Sequence, residues 1–360
     1  ITSIKDQNRS GTCWAYSTLS YFESEILKHT GKTYDLSEMF VANKTYMDRA
    51  TMAVRMHGDV SFSQGGSAYD VLYALQHYGI VPEGAMPAPG TLTGDSLANF
   101  GEFFDVMTPY VEAVAKSNAK KISSAWKSGL QGIIDSYIGK TPEKFTYQGK
   151  QYTPQSFCQS LGLNLDDYVT ITSYTHHPMW SKFAVEVQDN WRWPLSYNVP
   201  MDDLCKIIDN AINNGYTIAW GGDVTEDGFT RKGLGIAYDV KKVRSMAGTD
   251  ADHWFKLSKD EKKEKFDSLG VNAPEVVPTQ AMRQEAFDNW ETTDDHGMHI
   301  YGIAKDQNGK EYYMVKNSWG EYGDYKGTWY MTKAFVAYKT MDFMVNKNAI
   351  PKDIRKKLGI

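Results

Sequence analysis

A glycine turn near the start of the chain runs directly into a helical pattern, and a cysteine stands where the two meet. Residues 7–17 read QNRSGTCWAYS. The apolar residues that follow at the spacing of one helix face are Ala15, Leu19, Phe22 and Ile26. This stripe predicts a core-facing helix over residues 13–29, which Gly31 can end. Cys13 then lies in the first helical turn, where unpaired backbone N–H groups and the helix dipole favour an anion and lower the pKa of a thiol.

The cysteine count limits what Cys13 can be. The sequence has three cysteines, Cys13, Cys158 and Cys205, and no two of them are close along the chain. This sparse, odd number excludes a disulfide scaffold, and the spacing excludes a zinc knuckle. At most one disulfide can form, which leaves at least one free thiol. We interpret Cys158 and Cys205 as buried thiols, whereas Cys13 is either a small buried residue or a nucleophile.

Charge and hydropathy exclude several classes of function. The 360 residues carry 39 Lys and Arg against 44 Asp and Glu, a net charge of −5, so no basic field favours nucleic acid. No apolar run approaches the ~18 residues that a membrane span needs. The basic C-terminal stretch PKDIRKKLG is interpreted as a solvated helix face. The chain begins at Ile1 rather than Met, which favours loss of an N-terminal segment and an exported protein over a cytoplasmic one.

Helical patterns dominate the N-terminal part of the chain. A second helix is expected near residues 35–40, with Asp35 as its cap and Glu38 three residues further on. Further helices are expected at 68–78, 96–139, 201–214 and within the charged region 241–290. In the range 96–139, the residues expected on one face are Trp126, Leu130, Ile133 and Tyr137. Short β elements are expected at 145–153 (a hairpin around Gln148-Gly149), 166–178 and 217–224.

The last third of the chain is predicted to form a β-sheet, because aromatic and β-branched residues alternate there with polar ones. Strands are expected at 297–305, 311–317 and 328–332, and Asn308-Gly309 is a strong hairpin signal between the first two. Helices followed by an antiparallel sheet form an α+β pattern. The length corresponds to two domains or one large elaborated domain.

Two polar residues at the ends of these predicted strands could activate a cysteine. A cysteine nucleophile needs a base, a group that orients the base, and donors for an oxyanion. His296 stands at the start of one strand and Asn317 at the end of the next, so the hairpin predicts that they lie side by side. The Asn317 oxygen could then accept from one ring nitrogen and direct the other toward a thiolate. Trp319 could shield that hydrogen bond from water.

The histidines also raise the question of a metal. Asp294, Asp295, His296 and His299 are close in sequence, but residues three apart on a strand face opposite sides of the sheet. His176-His177 precede a proline and are interpreted as structural or substrate-lining. The sequence therefore predicts no metal site.

Ordered motifs along the chain resemble those of a known family. The motifs are Gln7, Ser10-Gly11-Thr12-Cys13-Trp14, Asp35-Leu36-Ser37-Glu38, Gly65-Gly66, His296-Gly297 and Asn317-Ser318-Trp319-Gly320. In this order they resemble the papain-like cysteine peptidases, and most of all the bleomycin hydrolase/aminopeptidase C group. Ser10 replaces the cysteine that papain has three residues before its nucleophile. The interval of 283 residues between Cys13 and His296 exceeds the ~130–150 of papain and the cathepsins. The stretch after the sheet is similar to that group's C-terminal helix.

The resemblance implies a papain-like two-lobe α+β fold with a large helical insert. The expected division is a helical lobe with the nucleophile at 1–85, a mainly helical insert at 86–200, a β-rich lobe at 201–345 with a helical excursion at 240–290, and a C-terminal helix or tail at 346–360.

The resemblance also implies a role for each motif residue. Cys13 would be the nucleophile, His296 the base that later acts as acid, and Asn317 the residue that orients His296. The Gln7 side-chain amide and the Cys13 backbone N–H would form the oxyanion hole. The residues expected to line the substrate site are Gly65, Gly66 and Trp319, of which the two glycines would bind an extended peptide backbone. No cofactor is implied.

The C-terminal arm of the bleomycin hydrolase group has no counterpart in this sequence. In that group the terminal carboxylate typically holds the free amine of the substrate. This sequence reaches Ile360 without the Trp-Asp-Pro-like stretch of that arm. Aminopeptidase action on peptides is the first expectation, with another carboxylate, such as one from the insert, capping the cleft. Endopeptidase action is the alternative, because a cleft without the arm could accept internal peptide segments. A catalytically silent scaffold and a thiol acyltransferase are further alternatives. The group is commonly a homohexamer, and the insert that builds that assembly is divergent here.

Overall fold

The computed structural model describes residues 1–88, 98–242 and 257–360. Its α-helices in chain order are α1 (Cys13–Thr30), α2 (Glu38–Arg55), α3 (Ala68–His77), α4 (Gly101–Ala115), α5 (Ala125–Ile138), α6 (Pro154–Ser160), α7 (Met201–Asn213), α8 (Lys259–Leu269), α9 (Gln280–Asp288), α10 (Lys333–Lys339) and α11 (Lys352–Leu358). Single 3₁₀ turns lie at Glu83–Ala85, Leu165–Asp167, Gly270–Asn272 and Lys347–Ala349.

The strands in chain order are β1 (Phe145–Tyr147), β2 (Lys150–Tyr152), β3 (Tyr168–Thr172), β4 (Lys182–Phe183), β5 (Ser196–Asn198), β6 (Ile218–Gly222), β7 (Phe229–Thr230), β8 (Leu234–Gly235), β9 (His296–Lys305), β10 (Glu311–Lys316), β11 (Thr328–Thr332) and β12 (Thr340–Asn346). Strands β1 and β2 form a separate hairpin, and the others form one ten-stranded sheet in the order β4-β5-β3-β12-β6-β9-β10-β11-β8-β7. Neighbouring strands are antiparallel except for the pairs β3–β5 and β8–β11. The α+β prediction is confirmed.

Helix α1 lies between the helical part of the molecule and the sheet. Every residue from Trp14 to Ile26 is buried, so the helix is covered on all sides and not only along the predicted stripe. It contacts α2 and α3 on one side and strands β6 and β9 on the other. The helix ends as predicted, because Gly31 adopts a left-handed φ of 69° and its N–H donates to the Leu27 carbonyl.

The cap of α2 differs from the prediction. Ser37, not Asp35, precedes the helix, and its hydroxyl accepts the backbone N–H of Phe40 at 3.1 Å. The carboxylate of Asp35 instead lies 2.6 Å from the ammonium of Lys5. Both residue types can cap a helix, and because α2 begins at Glu38, Ser37 rather than Asp35 occupies the cap position.

The range 96–139 contains two helices rather than one long one, with residues 116–124 between α4 and α5. The fully buried face of α5 consists of Trp126, Leu130, Ile134 and Ile138. Ile133 and Tyr137, which were predicted on this face, are half-buried beside it. These buried residues are spaced four apart, and because a helix has 3.6 residues per turn, their positions rotate slowly around the helix axis. The core follows this rotated line rather than the predicted face.

The insert joins both parts of the molecule. Its helices α4 and α5 share one apolar core with α1, α2 and α3. The end of the same range, in contrast, supplies β3, β4 and β5 to the large sheet. The range 86–200 is therefore helical in its first part and contributes strands in its last part.

The hairpin of β9 and β10 carries the C-terminal motifs. Its strands match the predicted ranges to within one residue, and the turn uses Gly309 at a φ of 82°. The register shifts between Met314 and Val315, as at a β-bulge. In the region 241–290, α8 and α9 are helical as predicted, and residues 243–256 lie outside the described residues.

The C-terminal helix α11 buries Ile354 and Leu358 and exposes most of its basic side chains, as predicted. Among the described residues, no helix combines the length and the apolarity needed to cross a membrane.

Candidate active site

The start of α1 and the start of β9 meet at a cavity of about 160 Å³. Cys13, the first residue of α1, and His296, the first residue of β9, both line it. Cys13 is half-buried and forms no disulfide. The predicted Gly65 and Gly66 line the same cavity. Sheet pairing and helix packing thus bring together four residues that the sequence spreads over 283 positions.

The geometry of His296 and Asn317 is the one that the hairpin predicted. Nε2 of His296 lies 2.8 Å from Oδ1 of Asn317, and both residues are buried. A carboxamide oxygen can only accept a hydrogen bond, so the His296 proton is on Nε2 and the lone pair of the neutral ring is on Nδ1. The Asn317 oxygen also accepts the backbone N–H of Ser318 at 2.8 Å, which fixes its orientation. Nδ1 is therefore the nitrogen available for proton transfer.

Trp319 covers the histidine ring. The two ring centroids are 5.0 Å apart with an interplanar angle of 34°. Trp319 also contacts Phe229 and Trp329 edge-on, while 37% of its own surface stays exposed. The indole therefore shields the His296–Asn317 hydrogen bond on one face and presents its other face to solvent.

Hydrogen bonds hold Gln7 between the segments that contain Ser10 and Ser318. Its backbone N–H donates to the Ser318 carbonyl at 2.8 Å, and its Oε1 accepts the Ser318 hydroxyl at 2.7 Å. Its Nε2 donates to the Ser10 carbonyl at 2.7 Å. An amide nitrogen carries two hydrogens, so one N–H stays available for an oxyanion. Gln7 is not among the residues that line the cavity, and its oxyanion role stays a prediction.

Burial opposes charge on both members of the cysteine–histidine pair. It raises the pKa of the Cys13 thiol to about 11, and the negative charges of Asp294 and Asp189 act in the same direction, against hydrogen bonds from the backbone of Gly297 and Trp14. It lowers the pKa of His296 to about 4, against the hydrogen bond to Asn317. Each group alone is therefore neutral near pH 7. A resting thiolate–imidazolium pair requires the mutual attraction of the two charges to exceed these burial costs.

A side chain at position 65 or 66 would force a neighbouring side chain to shift. A Cβ on Gly65 would lie 1.9 Å from Oδ2 of Asp189, and a Cβ on Gly66 would lie 2.8 Å from the ring of Trp14. Arg49 holds Asp189 in place, because its Nη1 lies 3.0 Å from Asp189 Oδ1 and donates to the Gly65 carbonyl at 2.6 Å. Binding of a substrate backbone to the two glycines stays a prediction.

Gly65→Ala is expected to lower the free energy of unfolding by about 1–3 kcal/mol, since the added methyl displaces the Asp189 carboxylate and disturbs its ion pair with Arg49. Urea denaturation measures the loss. The matched control is Gly132→Ala on α5, where an added Cβ meets nothing within 4 Å and alanine is expected to stabilise the helix by about 0.5–1 kcal/mol. Equal stability of the Gly65→Ala variant and the unmodified protein would contradict the packing argument.

Sequence reasoning considered a carboxylate in the cleft but did not name the residues that supply one. Asp189, Asp294, Asp295 and Asp342 all line the cavity. The pair Asp294-Asp295 was visible beside His296, but only a metal was considered for it. Asp189 and Asp342 carry no local signal, because the insert and β12 bring them to the cavity from distant positions.

His176, His177 and His299 do not line the cavity. His299 is fully buried, and its Nδ1 lies 2.9 Å from the Ser20 hydroxyl on α1. Within the described residues, the group with spacing suited to a metal consists of His176, His177 and Glu186. The Nε2 atoms of the two histidines lie 3.0 and 2.8 Å from the two Glu186 oxygens, so hydrogen bonds between surface side chains account for this cluster.

Comparison with known families bears on the whole chain. The family model described as "Peptidase C1-like family" matches residues 2–273 and 265–359. The chain belongs to the Peptidase C1-like family. This membership confirms the predicted family and the predicted class, a papain-like cysteine peptidase.

Relatives of this Peptidase C1-like chain match along its full length. Aminopeptidase G of Lactobacillus delbrueckii subsp. lactis is 23% identical over 394 residues, which cover 99% of this chain and 84% of the relative. Bleomycin hydrolase of Homo sapiens is 21% identical, with 98% and 81% covered. A crystal structure of PepW from Lactobacillus rhamnosis superimposes with a TM-score of 0.71 at 19% identity, covering 99% of this chain and 82% of that one. The papain-like fold prediction is confirmed.

Proposed function

We propose that this enzyme hydrolyses peptide bonds through a thioester on Cys13, with His296 as base and acid and Asn317 as the residue that orients it. The observation that carries the proposal is the 2.8 Å bond from His296 Nε2 to Asn317 Oδ1 beside a cavity shared by His296 and Cys13. A cysteine, a histidine and an orienting amide in this arrangement are the parts that acyl transfer by a thiolate requires.

The proposed reaction has two halves. The Cys13 thiolate adds to the scissile carbonyl carbon, and the carbonyl electron pair moves to oxygen, where the Cys13 backbone N–H and the Gln7 amide donate to it. Collapse breaks the C–N bond, and the proton on His296 Nδ1 passes to the leaving amine. A water then attacks the thioester as His296 takes its proton. The carboxylic acid leaves, and the thiolate and imidazolium are restored.

Alkylation of Cys13 tests the charged pair directly. We expect iodoacetamide to react quickly at pH 6, because a thiolate paired with imidazolium exists far below the ordinary thiol pKa of about 8.5. Mass spectrometry measures the rate against pH, and the Cys13→Ala variant reports the background from Cys158 and Cys205. If burial instead kept Cys13 and His296 neutral, the alkylation rate would rise about tenfold per pH unit until the pH reached the thiol pKa. That profile would contradict the ion pair.

We infer that the peptidase acts as an aminopeptidase. The support is that relatives matching the full length carry the names aminopeptidase C, G, E and W. The proposed partners are peptides, and the homohexamer implied by the family resemblance stays a prediction.

A digest of paired peptides separates the two modes of cleavage. Each peptide is offered with a free and with an acetylated N-terminus, and mass spectrometry follows the products. An aminopeptidase is expected to remove residues stepwise from free N-termini alone. Internal cuts in both forms would instead establish endopeptidase action. The Cys13→Ala variant serves as the blank, and absence of cleavage with the unmodified protein would favour the silent scaffold.

A further inference from the structure

Two histidines and a glutamate converge at the surface, apart from the active-site cavity. His176 and His177 lie in the turn after β3, and Glu186 follows β4. One ligand atom from each of the three residues lies within 4.8 Å of the other two. Hydrogen bonds from the two rings to different oxygens of Glu186 account for this arrangement without a metal. The same three atoms, however, form a set that a cation can bind.

The backbone turns both imidazole rings toward the same point. Neighbouring residues of an extended chain point to opposite sides, yet the ring centroids of His176 and His177 are only 4.6 Å apart. The buried Asn198 on β5 holds the turn that makes this possible, because its Nδ2 lies 2.8 Å from the Tyr174 carbonyl and 3.0 Å from the His177 carbonyl. The convergence is therefore set by the path of the chain and not only by side-chain rotamers.

Aromatic side chains fix the plane of each imidazole. The ring of Phe183 stacks on His177 with centroids 4.2 Å apart and an interplanar angle of 21°. The ring of Phe287 on α9 lies nearly parallel to that of His176, at 5.7 Å and 20°. Rings that are already held lose little conformational freedom when they bind a ligand. The packing therefore prepares both histidines to act as ligands.

The second nitrogen of His176 has a fixed partner as well. Its Nδ1 lies 3.4 Å from Oε1 and 3.1 Å from Nε2 of Gln284 on α9. Gln284 is held in turn, because its Oε1 accepts the Thr175 backbone N–H at 2.5 Å and its Nε2 donates to Asp288 at 2.9 Å. A histidine that binds a metal through one nitrogen almost always donates its other N–H to a neighbour. Oε1 of Gln284 can accept that proton when Nε2 of His176 binds an ion.

We propose that His176, His177 and Glu186 bind a divalent transition-metal ion, and that Zn²⁺ fits this set best. Imidazole ligands suit Zn²⁺ and its first-row neighbours, whereas Mg²⁺ and Ca²⁺ prefer oxygen. Two histidines and one carboxylate leave a fourth tetrahedral position for water. Tetrahedral bonds of about 2.1 Å place ligand atoms about 3.4 Å apart, so the contacts of 3.0 and 2.8 Å to Glu186 need to open only slightly. Sequence reasoning considered the two histidines without Glu186 and predicted no metal site.

The proposed metal site adjoins one wall of the active-site cavity. Glu186 stands between Val185 and Val187, which both line that cavity. An ion held by Glu186 would therefore tie this wall to the turn after β3. The site contains none of the proposed catalytic residues, so the inference does not depend on the proposed peptidase function.

Titration of the Cys13→Ala variant with Zn²⁺ tests the site. Removing Cys13 prevents binding by its thiol together with His296. After treatment with a chelator and dialysis, calorimetry is expected to show one Zn²⁺ per chain with a Kd in the micromolar range or below. X-ray absorption at the zinc edge is expected to show nitrogen and oxygen ligands without sulfur, which would exclude binding by Cys158 or Cys205.

Substitutions then assign the ligands. His177→Ala and Glu186→Gln, each in the Cys13→Ala background, are expected to weaken Zn²⁺ binding by more than about 100-fold, and Gln284→Ala by about tenfold. The matched control is His29→Ala, which removes an exposed histidine from the last turn of α1 and is expected to leave the Kd unchanged. Zn²⁺ is also expected to raise the Tm of the Cys13→Ala protein but not that of the variant that also carries His177→Ala. Circular dichroism checks that each variant is folded.

Three results would overturn the metal site: no stoichiometric binding in the micromolar range, a sulfur ligand in the X-ray absorption spectrum, or an affinity that survives both His177→Ala and Glu186→Gln. Any of them would leave the three side chains as a hydrogen-bonded cluster only. Peptide hydrolysis by the chelator-treated, unmodified protein would leave the proposed function standing in each case. Conversely, Zn²⁺ binding that depends on His177 and Glu186 would support the site even in a protein that cleaves no peptide.

Discussion

Replacing Cys13 with alanine is expected to lower kcat/KM for peptide hydrolysis by about 10⁴-fold or more while the fold survives. In the proposed mechanism the thiol forms the covalent bond to the substrate. Among the lining residues that the structure describes, Cys13 is the only thiol, so no other described side chain of the cavity can replace it. The side chain is small and half-buried, so its loss removes little apolar burial. The residual rate reports what the oxyanion donors and substrate binding achieve alone.

The matched control is Cys205→Ala. Cys205 is also a free, half-buried thiol, and burial raises its pKa to about 11, yet it lies outside the cavity in the sheet-side core. This variant is expected to retain activity within about threefold, since the mechanism does not use it. Retained activity in Cys13→Ala, or a comparable loss in Cys205→Ala, would refute the assignment of the nucleophile.

Replacing His296 with alanine is expected to cost about 10³–10⁴-fold in kcat, and replacing Asn317 with alanine about 10–10²-fold. In the proposed mechanism His296 carries the proton in both halves of the reaction. Asn317 acts only through the ring, by fixing the proton on Nε2 and leaving Nδ1 as the base. A water can take over part of that contact, so its loss is the smaller one.

The pH profile separates the two variants further. Without Asn317 the hydrogen bond that raises the pKa of His296 is gone, so the imidazolium is lost at lower pH and the alkaline limb of the kcat/KM profile is expected to shift to lower pH. Asn317→Gln, which retains an amide oxygen, is expected to recover part of the activity. Equal losses in the His296 and Asn317 variants would contradict the distinct roles.

The proximity of His296 and Asn317 was predictable because it depends on local rules, whereas their proposed catalytic roles come from the family resemblance. A two-strand hairpin around Asn308-Gly309 places the start of one strand beside the end of the next, and this alone brings His296 to Asn317. The position of Cys13 followed from the helical spacing of the residues after it. These inferences needed only the helical spacing of apolar residues after Cys13 and the hairpin signal of Asn308-Gly309.

The acids of the cavity were not predictable in the same way. Asp342 reaches the cavity because β12 lies between β3 and β6 in the sheet. Local sequence patterns predict single strands but not the order of strands in a sheet. Asp189 depends on an insert whose chain returns to the sheet. The prediction of Asp35 as the cap of α2 was wrong because the helix begins two residues later than expected, at Glu38, with Ser37 as its cap. Asp35 instead pairs with Lys5 from the N-terminal segment, a distant contact that no local pattern shows.

The indole of Trp319 lies 5.0 Å from the ring of His296. The fluorescence of Trp319 should therefore report whether His296, the proposed base, is protonated. A protonated imidazole quenches the fluorescence of an adjacent indole, whereas a neutral one quenches it far less. The difference in emission between the unmodified protein and a Trp319→Phe variant therefore follows the charge of His296 in the resting enzyme. It does so with no substrate, inhibitor or label in the cleft.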